Sequence, residues 1–80
     1  MPTITNKEKQ VLALIADGLT TKEIGVELNI SFYTVETHRK KLLHKFEVKN
    51  SAQLIVKAIT TGVMTPGNFP VMNPVNYRAA

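Results

Sequence analysis

Residues 20–46 read Thr-Thr-Lys-Glu-Ile-Gly-Val-Glu-Leu-Asn-Ile-Ser-Phe-Tyr-Thr-Val-Glu-Thr-His-Arg-Lys-Lys-Leu-Leu-His-Lys-Phe. Two helix starts are written into this stretch. Thr20 followed three residues later by Glu23 fits a capping box, in which the hydroxyl accepts from the third helical amide and the glutamate reaches back. Ser31 opens a second helix, and Asn29, which tolerates the left-handed conformation, can end the first. The connection Leu28-Asn29-Ile30-Ser31 is short, and Ile30 can fill the angle it makes. Gly25 costs a helix about 1 kcal/mol relative to Ala, and its missing side chain lets the second helix cross close by. At about 100° per residue, Val35, Leu42 and Phe46 share one face of that second helix, with Leu43 and Phe32 at one margin and His38 at the other. The opposite face collects Tyr33, Glu36, Thr37, Lys40, Lys41 and His44. Arg39 falls nearer the apolar side, so its stem is expected to pack while the guanidinium reaches out. The pair reads as a helix-turn-helix whose second helix is offered to a DNA major groove; by spacing alone, a packing motif remains the alternative.

The same chemistry recurs on either side. Thr5-Asn-Lys-Glu8 is a second capping box and Asn50-Ser-Ala-Gln53 a looser one, while Gly18 and Gly62 are natural stops. These signals predict an all-α domain of four helices near 6–17, 21–28, 32–46 and 51–61. The first helix turns Val11, Leu12, Leu14 and Ile15 inward, with Ile4 stapled onto its first turn, and the second offers Ile24 and Leu28. The fourth has two apolar stripes. Leu54, Ile55 and Ala58 suit the core, whereas Ala52, Val56, Ile59 and Val63 suit either a second subunit or the tail's Phe69 and Tyr77. Composition shifts after Met64: residues 65–80 hold three of the four prolines and a single charge. The expected division is a domain at 1–64 and a Pro/Asn-rich tail at 65–80.

Composition narrows the function. In 80 residues there are ten Lys and Arg against six Asp and Glu, a formal charge of +4, and neither Cys nor Trp. A chain this short buries only about 60% of its unfolded surface, enough for one core. The lack of cysteine excludes a disulfide framework and thiolate metal sites and fits an intracellular, cytoplasmic place. The longest apolar run, Val11–Ala16, is far short of the roughly 20 residues of a membrane span, so no membrane partner is expected. Residues 36–49 carry Arg39, Lys40, Lys41, Lys45 and Lys49 against Glu36 and Glu47. Such a cluster is either a solvated helix face or a polyanion-binding surface. His38 and His44 stand six apart, not the three or four that puts two ligands on one face, and no metal or cofactor is expected. His38 reads as a hydrogen-bonded structural residue and His44 as a solvent or DNA-edge residue. No phosphate-cradling glycine loop or nucleophile motif is present, so no catalytic role is assigned.

Glu8, Gly18, Thr20-Thr-Lys-Glu-Ile24, Leu28, Ile30-Ser31, Thr34-Val35, His38, Lys45 and Val48 follow the ordered pattern of the LuxR-type (NarL/FixJ, GerE-like) DNA-binding domain. Over residues 4–64 the chain resembles that family without gaps, including its ending Gly62-Val63-Met64, and Thr34-Val-Glu-Thr-His-Arg39 is similar to recognition helices of the FixJ branch. The resemblance implies a four-helix domain that binds promoter DNA as a homodimer, with helix three in the major groove and helix four at the dimer interface. Many relatives carry Lys at position 36, Asn at 21, Ala at 25 and Arg at 51, where this chain has Glu36, Thr21, Gly25 and Ser51.

Within that frame, side-chain chemistry assigns base edges to Glu36, Thr37 and Lys40, with Lys41 and His44 along the flank. Glu36 either accepts from a cytosine amino group or pairs with Lys40 one turn on. Thr20, Thr21 and Lys22, at the amino end of helix two, suit a phosphate oxygen. For the threonines the alternative is capping alone, stronger for Thr20 than for Thr21. Ser31, Tyr33, Lys45 and Lys49 are further backbone candidates. The expected role is a sequence-specific transcription regulator on the nucleoid, binding double-stranded promoter or operator DNA, with RNA polymerase a further candidate partner. The sequence fits either a stand-alone regulator of the GerE sort or a domain excised from a longer chain, and the initial Met-Pro and the tail lean towards the first. The competing reading, motivated by Glu36 and Ser51, is a protein-interaction module that sequesters a related regulator and binds DNA weakly or not at all.

Overall fold

Every helix begins at the side chain whose chemistry foretells it. The computed structural model describes residues 3–64, which form α1 (Asn6–Ala16), α2 (Thr21–Leu28), α3 (Phe32–Phe46) and α4 (Ser51–Thr60). Thr5 Oγ accepts from the Glu8 amide at 3.1 Å while Glu8 Oε1 accepts from the Thr5 amide at 3.0 Å. Thr20 and Glu23 repeat the exchange at 3.2 and 2.8 Å. Ser31 Oγ accepts from the Thr34 amide, and Asn50 Oδ1 from the Gln53 amide. The last cap is the loose one, because the Gln53 side chain takes the amide of Lys49 rather than that of Asn50.

Chain reversals follow where the backbone turns left-handed. Gly18 and Gly62 have φ of 91° and 83°, and Asn29 and Glu47 both have φ of 57°. α1 and α4 each stop one residue before the expected position, since Asp17 and Thr61 serve as the half-helical caps ahead of the glycines. Asn29 is the left-handed cap anticipated for it; Glu47 fills the same role after α3 without a side chain suited to it.

α3 runs through the middle and packs against all three other helices. Val11, Leu12, Ile24, Val35, Leu42, Phe46, Leu54, Ala58 and Met64 are buried together, with Ile4, Leu28 and Ile30 leaning on them. Burying a side chain of this size stabilises by roughly 1.5–3 kcal/mol. Gly25 shows why α2 tolerates a glycine: a Cβ there would stand 2.9 Å from the Ile30 carbonyl oxygen and 3.7 Å from both Phe32 N and Val35 Cγ2. Phe32, expected at the margin of the core, is 47% exposed and instead meets Tyr33 edge-on, with ring centroids 5.7 Å apart. No helix among the described residues is long and apolar enough to cross a membrane. The expected tail, with Phe69 and Tyr77, lies outside the described residues.

Candidate nucleic-acid interface

The inner face of α3 is consumed by the core, which leaves its outer face uncovered by the other described residues. Tyr33, Thr37, Lys40, Lys41 and His44 are all exposed there. At 1.5 Å per residue they line about 16 Å of helix, a length that fits along a major groove. The Thr37 hydroxyl donates to the Tyr33 carbonyl at 3.0 Å. Its single proton is thereby used, so toward a ligand it offers a methyl group and an acceptor oxygen.

Glu36 is held by partners within the domain, and its ion pair differs from the one expected. Its Oε2 accepts from Thr21 Oγ at 2.8 Å and from Arg39 Nε at 3.2 Å, and its Oε1 accepts from Arg39 Nη2 at 3.1 Å. The partner is therefore Arg39 at i+3, not Lys40 at i+4, and the arginine head turns along the helix instead of reaching outward. The Arg39 hydrogen bonds, then that from Thr21, outweigh burial and hold the Glu36 carboxyl below the usual glutamate range. Arg39 also lines a shallow hollow with Thr20, Thr21 and Ser51, where the amino ends of α2 and α4 come together.

Thr20 is occupied as the cap of α2, and Thr21 donates to Glu36. Lys22 is exposed one residue further. The leading amides of a helix have no intrahelical acceptor, so this end still offers N–H donors and a cation. Ser31 Oγ is held by Thr34, within 3.0 Å of that residue's own hydroxyl.

Lys45, expected to face a DNA phosphate, is paired within the domain. Its ammonium lies 2.7 Å from Glu8 Oε1 and 3.0 Å from the Thr3 carbonyl, so the charge that sequence reasoning offered to a phosphate is used to tie α3 to the start of α1. Glu8 is buried, at 2% exposure. Burial pushes its carboxyl up, but the Lys45 and Thr5 hydrogen bonds and the charges of Lys45 and His38 outweigh this and leave it below the ordinary 4.5. Sequence reasoning recognised Glu8 as a capping residue only. The missing signal was its place three and four residues before Val11 and Leu12, which turns it inward, where a charge needs a partner. His38 is half-buried as expected, but its Nδ1 is buried with no hydrogen-bond partner among the described residues. The hydrogen bond expected of a structural histidine is not made by that nitrogen. Removing the Glu36–Arg39 and Lys45–Glu8 pairs leaves Lys40, Lys41 and Lys49 as the basic residues of the 36–49 cluster outside any ion pair among the described residues.

The outward stripe of α4 divides. Ala52 is exposed and Val56 is 62% exposed, whereas Ile59 and Val63 lean on the core. Val48, which also leans on the core, borders the open part, where an apolar hollow forms with Ala52, Gln53, Val56, Lys57 and Thr60.

Four helices with a capped helix-turn-helix in the middle and a polar outer face define a class of DNA-binding domain. The family described as bacterial regulatory proteins, luxR family (GerE) matches residues 2–58, and the chain belongs to it. It is 47% identical over 62 residues to the uncharacterized response regulatory protein YgeK of Escherichia coli (strain K12), an alignment covering 78% of this chain and 42% of YgeK. Two solved structures share the fold. The transcription factor GerE superposes with a TM-score of 0.70 at 29% identity, covering 74% of this chain and 88% of that one. VqmA of Vibrio cholera, solved with ligand and DNA, gives 0.72 at 34% identity, covering 78% of this chain and 27% of that one. The chain spans less than half the length of the curated relatives it matches.

Proposed function

We propose that this chain is a transcription regulator that binds double-stranded promoter DNA in a sequence-specific manner, with α3 in the major groove. The observation that carries the reading is the exposed row Tyr33, Thr37, Lys40, Lys41 and His44 on the one helix that the rest of the domain grips from behind. Base reading falls to Lys40, a donor suited to guanine O6 and N7, and to Thr37, whose free acceptor and methyl suit an amino group or the thymine methyl. The amino end of α2, with Lys22 and the backbone beside Thr20 and Thr21, takes a phosphate; Tyr33, Ser31, Lys41, His44 and Lys49 flank it along the groove. A homodimer through the Val48, Ala52 and Val56 face of α4 would set two recognition helices on two half-sites. RNA polymerase is a further partner of such a regulator, and the nucleoid is its place of action.

The test is in-vitro selection of duplexes with the full chain, followed by affinity measurements for Lys40→Ala on the selected sequence at fixed salt. A loss of about 1–3 kcal/mol with relaxed specificity at one base position is expected. Unchanged affinity and specificity would remove Lys40 from the reading face.

A further inference from the structure

We propose that Glu36 is a positioning residue that keeps Arg39 away from the DNA backbone, so that the recognition face works with one fewer sequence-blind cation. The proposal rests on the DNA-binding reading above. An unpaired carboxylate on a groove-facing helix is repelled by phosphates, and an unpaired arginine beside it would seek one. Here the two cancel. The guanidinium presents a two-pronged edge through Nε and Nη2 to both oxygens of Glu36, the bidentate arrangement that binds carboxylates most firmly. The Arg39 and Glu36 side chains are only 28% and 22% exposed, so water competes less than it does for an open surface pair. Thr21 adds a third hydrogen bond from a different helix, which fixes the carboxylate relative to α2 as well as along α3.

The restraint has a location that matters. Arg39 borders the hollow shared with Thr20, Thr21 and Ser51, next to the phosphate-holding end of α2. Once released, its guanidinium stands beside the backbone contacts, and its charge would add affinity for any duplex. Glu36 thereby acts on specificity through Arg39 and without touching a base.

The experiment compares the full-length wild-type chain with Glu36→Gln, Arg39→Ala and the double variant. Each is titrated with the selected duplex and with a scrambled duplex of equal length, between 50 and 200 mM salt, after thermal melts establish that it is folded. Glu36→Gln is expected to bind the scrambled duplex about three- to ten-fold more tightly and to steepen the dependence of log K on log salt by about one. Adding Arg39→Ala should return the slope to that of the wild type. Glu36→Gln losing affinity for the selected duplex alone, with an unchanged slope, would make Glu36 a base reader and overturn the proposal. A steeper slope that persists in the double variant would assign the effect to the lost negative charge and overturn it as well. The free chain provides an independent readout by NMR: the Arg39 Nε–H should exchange slowly in the wild type and rapidly in Glu36→Gln. Rapid exchange in the wild type overturns the clasp and leaves the DNA-binding reading intact. A wild-type chain with slow exchange that binds neither duplex overturns the DNA-binding reading, and the role proposed for the clasp with it.

Discussion

Glu8 and Lys45 are 37 residues apart in sequence and 2.7 Å apart in space, and the glutamate is the sole buried charged residue among those described. Removing one member of a buried pair leaves the other uncompensated, at about 3–5 kcal/mol. Lys45 is 31% exposed and can turn to water, which lowers the effect. Glu8→Gln should therefore destabilise the domain by about 2 kcal/mol at pH 7 in urea unfolding. The folded carboxyl titrates below its unfolded value, so its contribution is complete above pH 4.5 and fades as acid titrates it through the lowered value. The gap between wild type and Glu8→Gln should accordingly narrow between pH 5 and pH 3, and a constant gap would disprove the linkage. Neither this pair nor the Thr21–Glu36–Arg39 clasp was legible in the sequence. A side chain's helical neighbours at i+3 and i+4 can be enumerated, but the choice between Arg39 and Lys40 was made by a hydroxyl on another helix, and that information is tertiary.

Helices were far more legible, because caps are local. Thr5, Thr20, Ser31 and Asn50 each bind an amide three residues on, within reach of sequence inspection. Ends were less so. Asn29 and Glu47 have the same φ and ψ, 57° and 46°, yet only asparagine has a side chain that advertises this conformation. An ordinary L-residue pays about 1–2 kcal/mol there, and a carboxylate at a helix carboxyl end also opposes the dipole. Glu47→Gly relieves both at the expense of a more disordered unfolded chain. A net gain of roughly 1 kcal/mol is expected, which raises the melting temperature of a domain this small by about 5 °C. A lower melting temperature would show that Glu47 contributes a contact outweighing its backbone strain.

At the scale of the molecule, the helical class and the two faces of α3 followed from periodicity, whereas the extent of the second α4 stripe did not. Periodicity grouped Ala52, Val56, Ile59 and Val63. Packing drew the last two onto the core and left Val56 with Val48 at the open hollow, because the chain after α4 folds back toward Ala58 through the Val63 and Met64 amides. If this face joins two copies, Val56→Glu should leave the melting temperature unchanged within about 0.5 kcal/mol of stability, as for an exposed site. It should also convert a sedimenting dimer to monomer and abolish cooperative occupancy of paired half-sites. A heterodimer with a related regulator, formed by a wild-type chain that ignores DNA at all salt concentrations, would instead favour the sequestering module.

The central position of α3 carries a consequence for how such a protein diversifies. Val35, Leu42 and Phe46 are buried in the core, while Thr37, Lys40, Lys41 and His44 are exposed outside it. The two sets interleave along one rod yet answer to separate demands. If the second set reads DNA as proposed, substitutions there would readdress the domain to a new DNA sequence with little change in stability, and drift in one property would not drag the other with it. Glu36 stands between the two rows. A change there alters how Arg39 is held, and on the proposal above it would also alter how strictly any address is obeyed.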